Sequence, residues 1–309
     1  MSSRLARSTA IATATMLSFG LLAACGGSDD SGSSTSSGGP AASASTTVLK
    51  ADSAIESLVP EAIKKKGTLV FATDATAPPN ESVDTDGKTI VGNEIDIAKN
   101  LASLMGLKAE FVNVSFDSII PGLQAHRYDL SISGFRDTKE REKVVDFVTY
   151  AKAGPQFFVK SSSSFKPTGL DDLCGHSFAV QSGTIQEDIA QQQNEKCTAA
   201  GKKAVDVKVF KTQDQQVQAV ANGQVDVGAQ NGPNNVYTTQ QTNGAIVASG
   251  KPFAEGPWGM PLPKDTGLVK ALHAATQKLI DDPAYLQILK KWNVSDQAIT
   301  KSVINGAIS

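Results

Sequence analysis

The sequence predicts an α/β protein of two similar lobes, each a mostly parallel sheet flanked by helices. Three observations carry this. Short β-rich apolar runs alternate with helical patterns from residue 67 to 132. The same plan returns from residue 177 to 231. The segments LQAHRYDLSIS and VQAVANGQVDVGAQ also correspond, each reading helix end, turn, acidic residue, strand. The 309 residues, 40% hydrophobic and 19% charged, give enough material for two cores. A net charge of −2 excludes the broad basic footprint of a nucleic-acid binder. The varied composition excludes collagen, coiled coil and disorder of the whole chain.

The first 50 residues read as lying outside the fold. Arg4 and Arg7 are the only charges before Asp29, and an apolar stretch runs from Ser8 to Ala24. A basic start, an apolar middle and small residues at the end make a secretory signal peptide over 1–24. It closes Leu22-Ala23-Ala24-Cys25, which resembles a bacterial lipobox with Cys25 as the lipidated residue. Two or three acyl chains anchor firmly where one is marginal. Gly26 to Thr47 holds no apolar side chain larger than Ala, so residues 25–50 read as lipidated Cys plus flexible tether, reaching about 25 Å.

The body can then be taken element by element. Gly67 to Thr73 is a buried strand ending at Asp74, followed by a loop with Pro78-Pro79. Asn93 caps a helix bearing Ile95, Ala98, Leu101, Ala102 and Met105, which Gly106 closes. Ala109 to Val114 is a strand. Asp117 caps a helix through Ala125, with Pro121 in its first turn. Tyr128 to Ile132 is the third strand.

In the second half Ser177 to Val180 is a strand, and Thr184-x-x-Glu187 fits a capping box. Val205 to Phe210 is a strand. Asp214 caps a helix closed by Asn222-Gly223, and Val225-Asp226-Val227 opens another strand. Two helices end the chain, one from about Thr266 to Ile280 and one starting at Pro283 with Leu286, Leu289 and Trp292 on a stripe.

Cys174 and Cys197 remain as an even pair once Cys25 is lipidated, and an exported protein is expected to bridge them. His126, His176 and His273 are far apart, and no metal set or cofactor motif is predicted. No G-x-S-x-G, H-E-x-x-H or P-loop pattern occurs.

Ligands of open α/β sheets bind beyond the carboxyl ends of the strands. Asp74, Phe116, Gly134 to Arg141, Ser182 to Thr184 and Gln230-Asn231 fall there, so two lobes would face each other across a cleft as a hinged clamp.

At these residues the chain resembles the extracellular solute-binding proteins of amino-acid ABC importers, family 3, of lipoprotein type. The likeness spans about residues 60–295. It is carried by GTLVFATDATAPPNE, DGKTIVGNEIDIAKNLASLMGL, FDSIIPGLQAHRYDLSISGF, TKEREKVVDFV, VQSGTIQ, GQVDVGAQN and GPWGMPLPK…LIDDPAYLQILKKWNV. The resemblance implies a two-lobed clamp of the type II periplasmic-binding-protein-like kind. Lobe 1 would be residues 51–152 plus 256–309, and lobe 2 residues 153–255, with crossings near Tyr150–Pro155 and Phe253–Pro257.

It further implies that Arg141 clamps the ligand α-carboxylate, for which a planar guanidinium fork is suited. Phe116 would stack on the ligand and Gly134 would offer backbone groups. Asp74 would stand at the first strand's end. Ser182, Gly183 and Thr184 would meet the carboxylate at a helix N-terminus.

Three positions depart from the family's pattern. Asn231 stands where many members have Asp, Arg136 where many have Thr, and Ala77 where an aromatic is common. If Arg136 and Asn231 both face the cleft, the site is more positive than in those members. The expectation is then an acidic or ammonium-poor solute, with zwitterionic amino acids left open. The resemblance implies a non-enzymatic, monomeric protein at the extracytoplasmic face of the membrane, held only by its lipid, with a small carboxylate ligand and an ABC permease as partners. A sensor or adaptor lipoprotein, or a dehydratase-like secreted enzyme on the same fold, are the alternatives.

Overall fold

A computed structural model describes residues 48–308, which lie within one compact unit. The expected signal peptide, Cys25 and the tether to Thr47 fall outside the described residues. No helix among the described residues is long and apolar enough to cross a membrane.

The first lobe is built on three parallel strands, Lys108–Asn113, Thr68–Thr73 and Leu130–Ser131, with Thr68–Thr73 in the middle. That central strand is buried on both faces, as a βαβ sheet requires. Leu69 and Phe71 enter a core with Leu101, Tyr150, Trp258, Leu272 and Leu289. Ala72 enters a second core with Phe116, Ile119, Phe135 and Phe147.

The second lobe is a five-stranded sheet. Its order is Asp206–Phe210, Ser177–Gln181, Val227–Asn231, Pro155–Lys160 and Ile246–Ser249. The first three run parallel, and Pro155–Lys160 runs antiparallel to both of its neighbours, so the lobe is less uniformly parallel than its sequence suggests. Phe157, Phe178 and Val180 fill one face; Phe158, Val220 and Ile246 fill the other.

A two-stranded ribbon, Asp146–Ala153 against Gly256–Leu262, links the lobes. Its first strand runs through Gly154 directly into Pro155–Lys160. Gly154 sits so close to the returning chain that a Cβ would meet the Phe253 carbonyl at 2.7 Å.

Several boundaries differ from the sequence reading. Thr212, not Asp214, caps the helix Gln213–Ala221, accepting from the Gln215 amide. The helix Phe116–Gln124 starts two residues early, with Ser115 as N-cap, and so carries Pro121 beyond its first turn. Gly92, not Asn93, precedes the helix Asn93–Leu104. Its φ of 147° and its contact with Asn80 exclude a side chain, since a Cβ would lie 1.9 Å from the Asn80 carbonyl oxygen. Leu286 is exposed on the last helix, where Tyr285, Ile288 and Leu289 are buried instead. The helix Gly232–Gln241 and the short sheet of Thr76–Ala77, Glu81–Val83 and Ile90–Val91 carry no strong periodic signal.

Cys174 and Cys197 form a disulfide across 23 residues of sequence, pinning the helix Ile185–Ala199 to the turn before Ser177. A loop of this length contributes about 3 kcal/mol by chain entropy. Replacing both Cys by Ser is expected to lower the unfolding free energy in urea by about that amount. A loss below about 1 kcal/mol would show that the helix is held by packing alone.

Candidate functional site

The carboxyl ends of the two sheets face one another, and the sequence-predicted residues converge between them. Asp74, Phe116, Gly134, Arg136, Arg141, Thr184 and Asn231 all line a shared cleft. The cleft is closed. It encloses about 30 Å³, room for about two water molecules.

Direct bonds shut it. The Gln181 side-chain amide donates to Asp74 Oδ2 (2.5 Å), and Arg141 donates to the Gly183 carbonyl (2.8 Å). The Ser182 hydroxyl donates to Asp117 (3.3 Å), and the Gln213 amide to Thr76 Oγ1 (3.3 Å). Asn234, fully buried, donates to the Ala77 and Pro78 carbonyls (3.0 and 2.9 Å).

Arg141 comes from the four-residue helix Lys139–Glu142, capped by Thr138. Its guanidinium donates to the Arg136 carbonyl (2.9 Å) and lies 5.2 Å from the Phe135 ring centre and 6.0 Å from that of Phe116. Burial lowers its pKa to about 10, so it stays charged at neutral pH. Phe116 stacks on Phe135 with ring centres 4.1 Å apart, which leaves at most one ring face for a ligand.

Arg136 lines the cleft, but its guanidinium is committed elsewhere. It donates to the carbonyls of Ala153 (3.4 Å), Ala254 (2.9 Å) and Glu255 (2.8 Å). It therefore ties the two crossing segments together, and these carbonyls occupy its donors.

The expected backbone donors are also engaged. The Gly134 amide donates to both oxygens of Glu94 (3.1 and 3.0 Å). Ser182 and Thr184 amides donate to the Phe210 and Gln181 carbonyls, and the Gly183 amide to the Glu187 carboxylate. The donors left at this helix start are those of Ile185 and Gln186, which line the cleft and have no intrahelical partner. Asn231 precedes the helix Gly232–Gln241 and makes no capping bond, so its side chain is free to face the cleft.

Sequence reasoning missed the acidic wall. Glu81 lines the cleft and is 1% exposed; Glu94, behind it, is wholly buried. The Ser133 hydroxyl accepts from the Asp74 amide and donates to Glu81 Oε1 (2.9 Å). The Tyr150 hydroxyl donates to Glu94 (2.5 Å). Glu81 Oε2 is buried with no backbone or hydroxyl donor among the described residues, and its carboxyl is hydrogen-bonded to that of Glu94, which favours a proton on Glu81. Burial, with the neighbouring Glu94 adding to it, holds Glu81 well above the usual carboxylate range. Burial likewise raises Asp74 to about 6, partly offset by its bonds from Thr76 and Gln181. Neither Glu has a recognisable spacing signal: Glu81 opens a three-residue strand, and Glu94 sits in the first turn of a helix, where an acidic residue is ordinary. Among the described residues no cluster of His, Cys, Asp and Glu could hold a metal ion.

A raised folded-state pKa means that Asp74 favours the fold when protonated. Its contribution is whole below pH 3.8 and is lost as pH rises through about 6, an effect of order 3 kcal/mol. Asp74→Asn should therefore raise the unfolding free energy at pH 7 by about 1–3 kcal/mol and leave it nearly unchanged at pH 3.5. Chemical denaturation at the two pH values decides; equal effects at both would mean that Asp74 is not desolvated.

Comparison with known proteins agrees with this geometry. Residues 69–295 match the model of the bacterial extracellular solute-binding proteins, family 3. The arginine-binding protein ArgT of Corynebacterium glutamicum is 31% identical over 81% of this chain and 82% of its own. The L-cystine-binding protein TcyJ of Escherichia coli is 26% identical over 80% and 92%. Among solved structures, an ancestral arginine-binding protein bound to arginine is 34% identical, with a TM-score of 0.67, over 73% of this chain and 98% of that one. An ancestral amino acid-binding protein, a precursor of cyclohexadienyl dehydratase, is 31% identical with a TM-score of 0.67, over 76% and 99%. A match over most of the chain, with two α/β lobes closing on a polar cleft, places the protein among the bacterial extracellular solute-binding proteins, family 3.

Proposed function

We propose that this chain captures an amino acid with a cationic side chain, of the arginine class, in the interlobe cleft and delivers it to the permease of an ABC importer. The observation that carries the reading is the buried acid wall of Asp74 and Glu81 in the same cleft as Arg141. Two buried carboxyl groups side by side are costly to ionise until a positively charged donor reaches them. A guanidinium brings five donors and a positive charge. Arg141, freed from the Gly183 carbonyl, and the first-turn amides of Ile185 and Gln186 would take the α-carboxylate. The names of the arginine-binding relatives support the same class. An acidic solute is not favoured, because the Arg136 donors that would bind its extra carboxylate are occupied by backbone carbonyls and the cleft already holds Asp74 and Glu81.

Entry requires opening. Pockets for small molecules enclose about 300–1,000 Å³, far more than the closed cleft. In this reading the lobes are residues 51–152 plus 256–309 and residues 153–255, hinged where the ribbon crosses near 153–155 and 253–257. Ligand bridging Asp74, Arg141 and the second lobe's helix start then favours the closed form by its differential affinity. The protein acts as a monomer that binds without turnover. Lipid at Cys25 holds it to the extracytoplasmic face of the membrane.

Isothermal titration with L-arginine, L-glutamine and L-glutamate tests the class. Arginine is expected to bind tightest. Arg141→Ala should cost about 3–5 kcal/mol for arginine and glutamine alike. Glu81→Gln should cost arginine about tenfold or more while leaving glutamine nearly unchanged. Tighter binding of glutamate than arginine, or equal losses for arginine and glutamine in Glu81→Gln, would overturn the assignment. Consumption of bound solute during the titration would reveal an enzyme.

A further inference from the structure

We infer that the C-terminal segment Ser302–Ala307 is a strap that positions Arg141, an inference that rests on reading Arg141 as the ligand clamp. The segment lies beyond the stretch shared with the family, which ends at residue 295. It runs along the linking strand Asp146–Ala153. The Ser302 hydroxyl donates to the Thr149 carbonyl (2.7 Å), and the Thr149 amide to the Val303 carbonyl (2.9 Å). The Val303 amide donates to Thr149 Oγ1 (2.8 Å). Asn305 accepts from the Phe147 amide (2.8 Å), and its own amide donates to the Phe147 carbonyl (3.0 Å).

The strap then reaches the short helix that carries the clamp and holds it at both ends. The Gly306 amide donates to Asp137 Oδ2 (2.8 Å), just before the helix. The Ala307 amide donates to Glu142 Oε1 (2.9 Å), at its last residue. A helix of four residues has no stability of its own, since nucleation costs more than one turn returns. Its place must come from tertiary ties. The Asp137 amide bonded to the Pro257 carbonyl is one (3.0 Å), and the two strap bonds are the others that bracket Arg141. Glu142 is held below the usual carboxylate range, in part by the Ala307 amide itself, so its strap bond is of the stronger, charge-assisted kind; burial and the neighbouring Glu142 raise Asp137 to about 7, so its bond is closer to an ordinary one. Asp137 is wholly buried, so its acceptor has no ready replacement by water. Asp137 and Glu142 are thus positioning residues that act on the ligand through Arg141.

The test is hydrogen exchange, read by mass spectrometry without added ligand. It compares the full chain, a chain ended after Lys301, Glu142→Ala and Glu142→Gln. Amides 138–145 should exchange about tenfold faster in the shortened chain and in Glu142→Ala. Those of Ser177–Gln181 should stay as they are. Glu142→Gln keeps an acceptor oxygen and loses the ion pair with Lys139, so it should remain within about threefold of the parent. Unchanged exchange at 138–145 in Glu142→Ala would overturn the inference. So would equal acceleration in both lobes of that variant, because the bond would then serve the whole fold. Glu142→Ala should also speed L-arginine release several-fold. A parent chain that ignores L-arginine would overturn the ligand assignment, while the exchange result would still decide the strap.

Discussion

Three carboxyl groups, those of Asp74, Glu81 and Glu94, are held out of water along one side of the cleft, and much of the surrounding structure exists to make that tolerable. Taking an ionised carboxylate out of water without a partner costs far more than a domain can spare. The chain meets this in two ways. Glu94 is surrounded by donors, the Tyr150 hydroxyl and the Gly134 amide. Glu81 and Asp74 are pushed upward in pKa, so that protonation relieves them when no cation is near. The demand reaches into the backbone. Gly134 takes a φ of 58° to turn its amide onto Glu94, and Gly92 lets the helix bearing Glu94 start hard against the Asn80 carbonyl.

Closure draws on the same groups. In the closed arrangement Gln181 satisfies Asp74, and the Gly183 carbonyl satisfies Arg141, so the lobes meet through the atoms proposed to hold the ligand. Exchange of these protein–protein bonds for protein–ligand bonds changes the count of hydrogen bonds little. Under the proposed function, what separates one solute from another is whether it supplies a cation to the acids and a carboxylate to Arg141.

Arg136 shows how a side chain's partners, and not its position in the sequence, define its place in the fold. As a departure from the family's pattern it suggested a reader of ligand charge. Its three carbonyl partners, Ala153, Ala254 and Glu255, lie on the two segments that cross between the lobes. A guanidinium with several fixed donors suits such a junction, where backbone acceptors on two strands need partners at once. Gly256 makes room for it; a Cβ there would fall 2.0 Å from the Arg136 guanidinium.

The amino-acid sequence by itself determined the alternation of strands and helices, the two-lobed α/β plan and the partnership of Cys174 with Cys197. These follow from local periodicity, caps and cysteine parity, which act over a few residues or by elimination. Asp74, Phe116, Arg141 and Asn231 were legible as cleft residues because strand ends announce themselves in sequence. Tertiary structure alone decided the rest. Glu81 and Glu94 became an acid wall because the Glu81–Val83 strand and the Asn93–Leu104 helix meet behind Ser133, a contact no spacing encodes. Arg136 was turned onto the crossings, and the amides of residues 182–184 onto neighbours within the second lobe. The reason is common to all: a polar group's role is set by the partner it finds once buried, and that partner is often a hundred residues away.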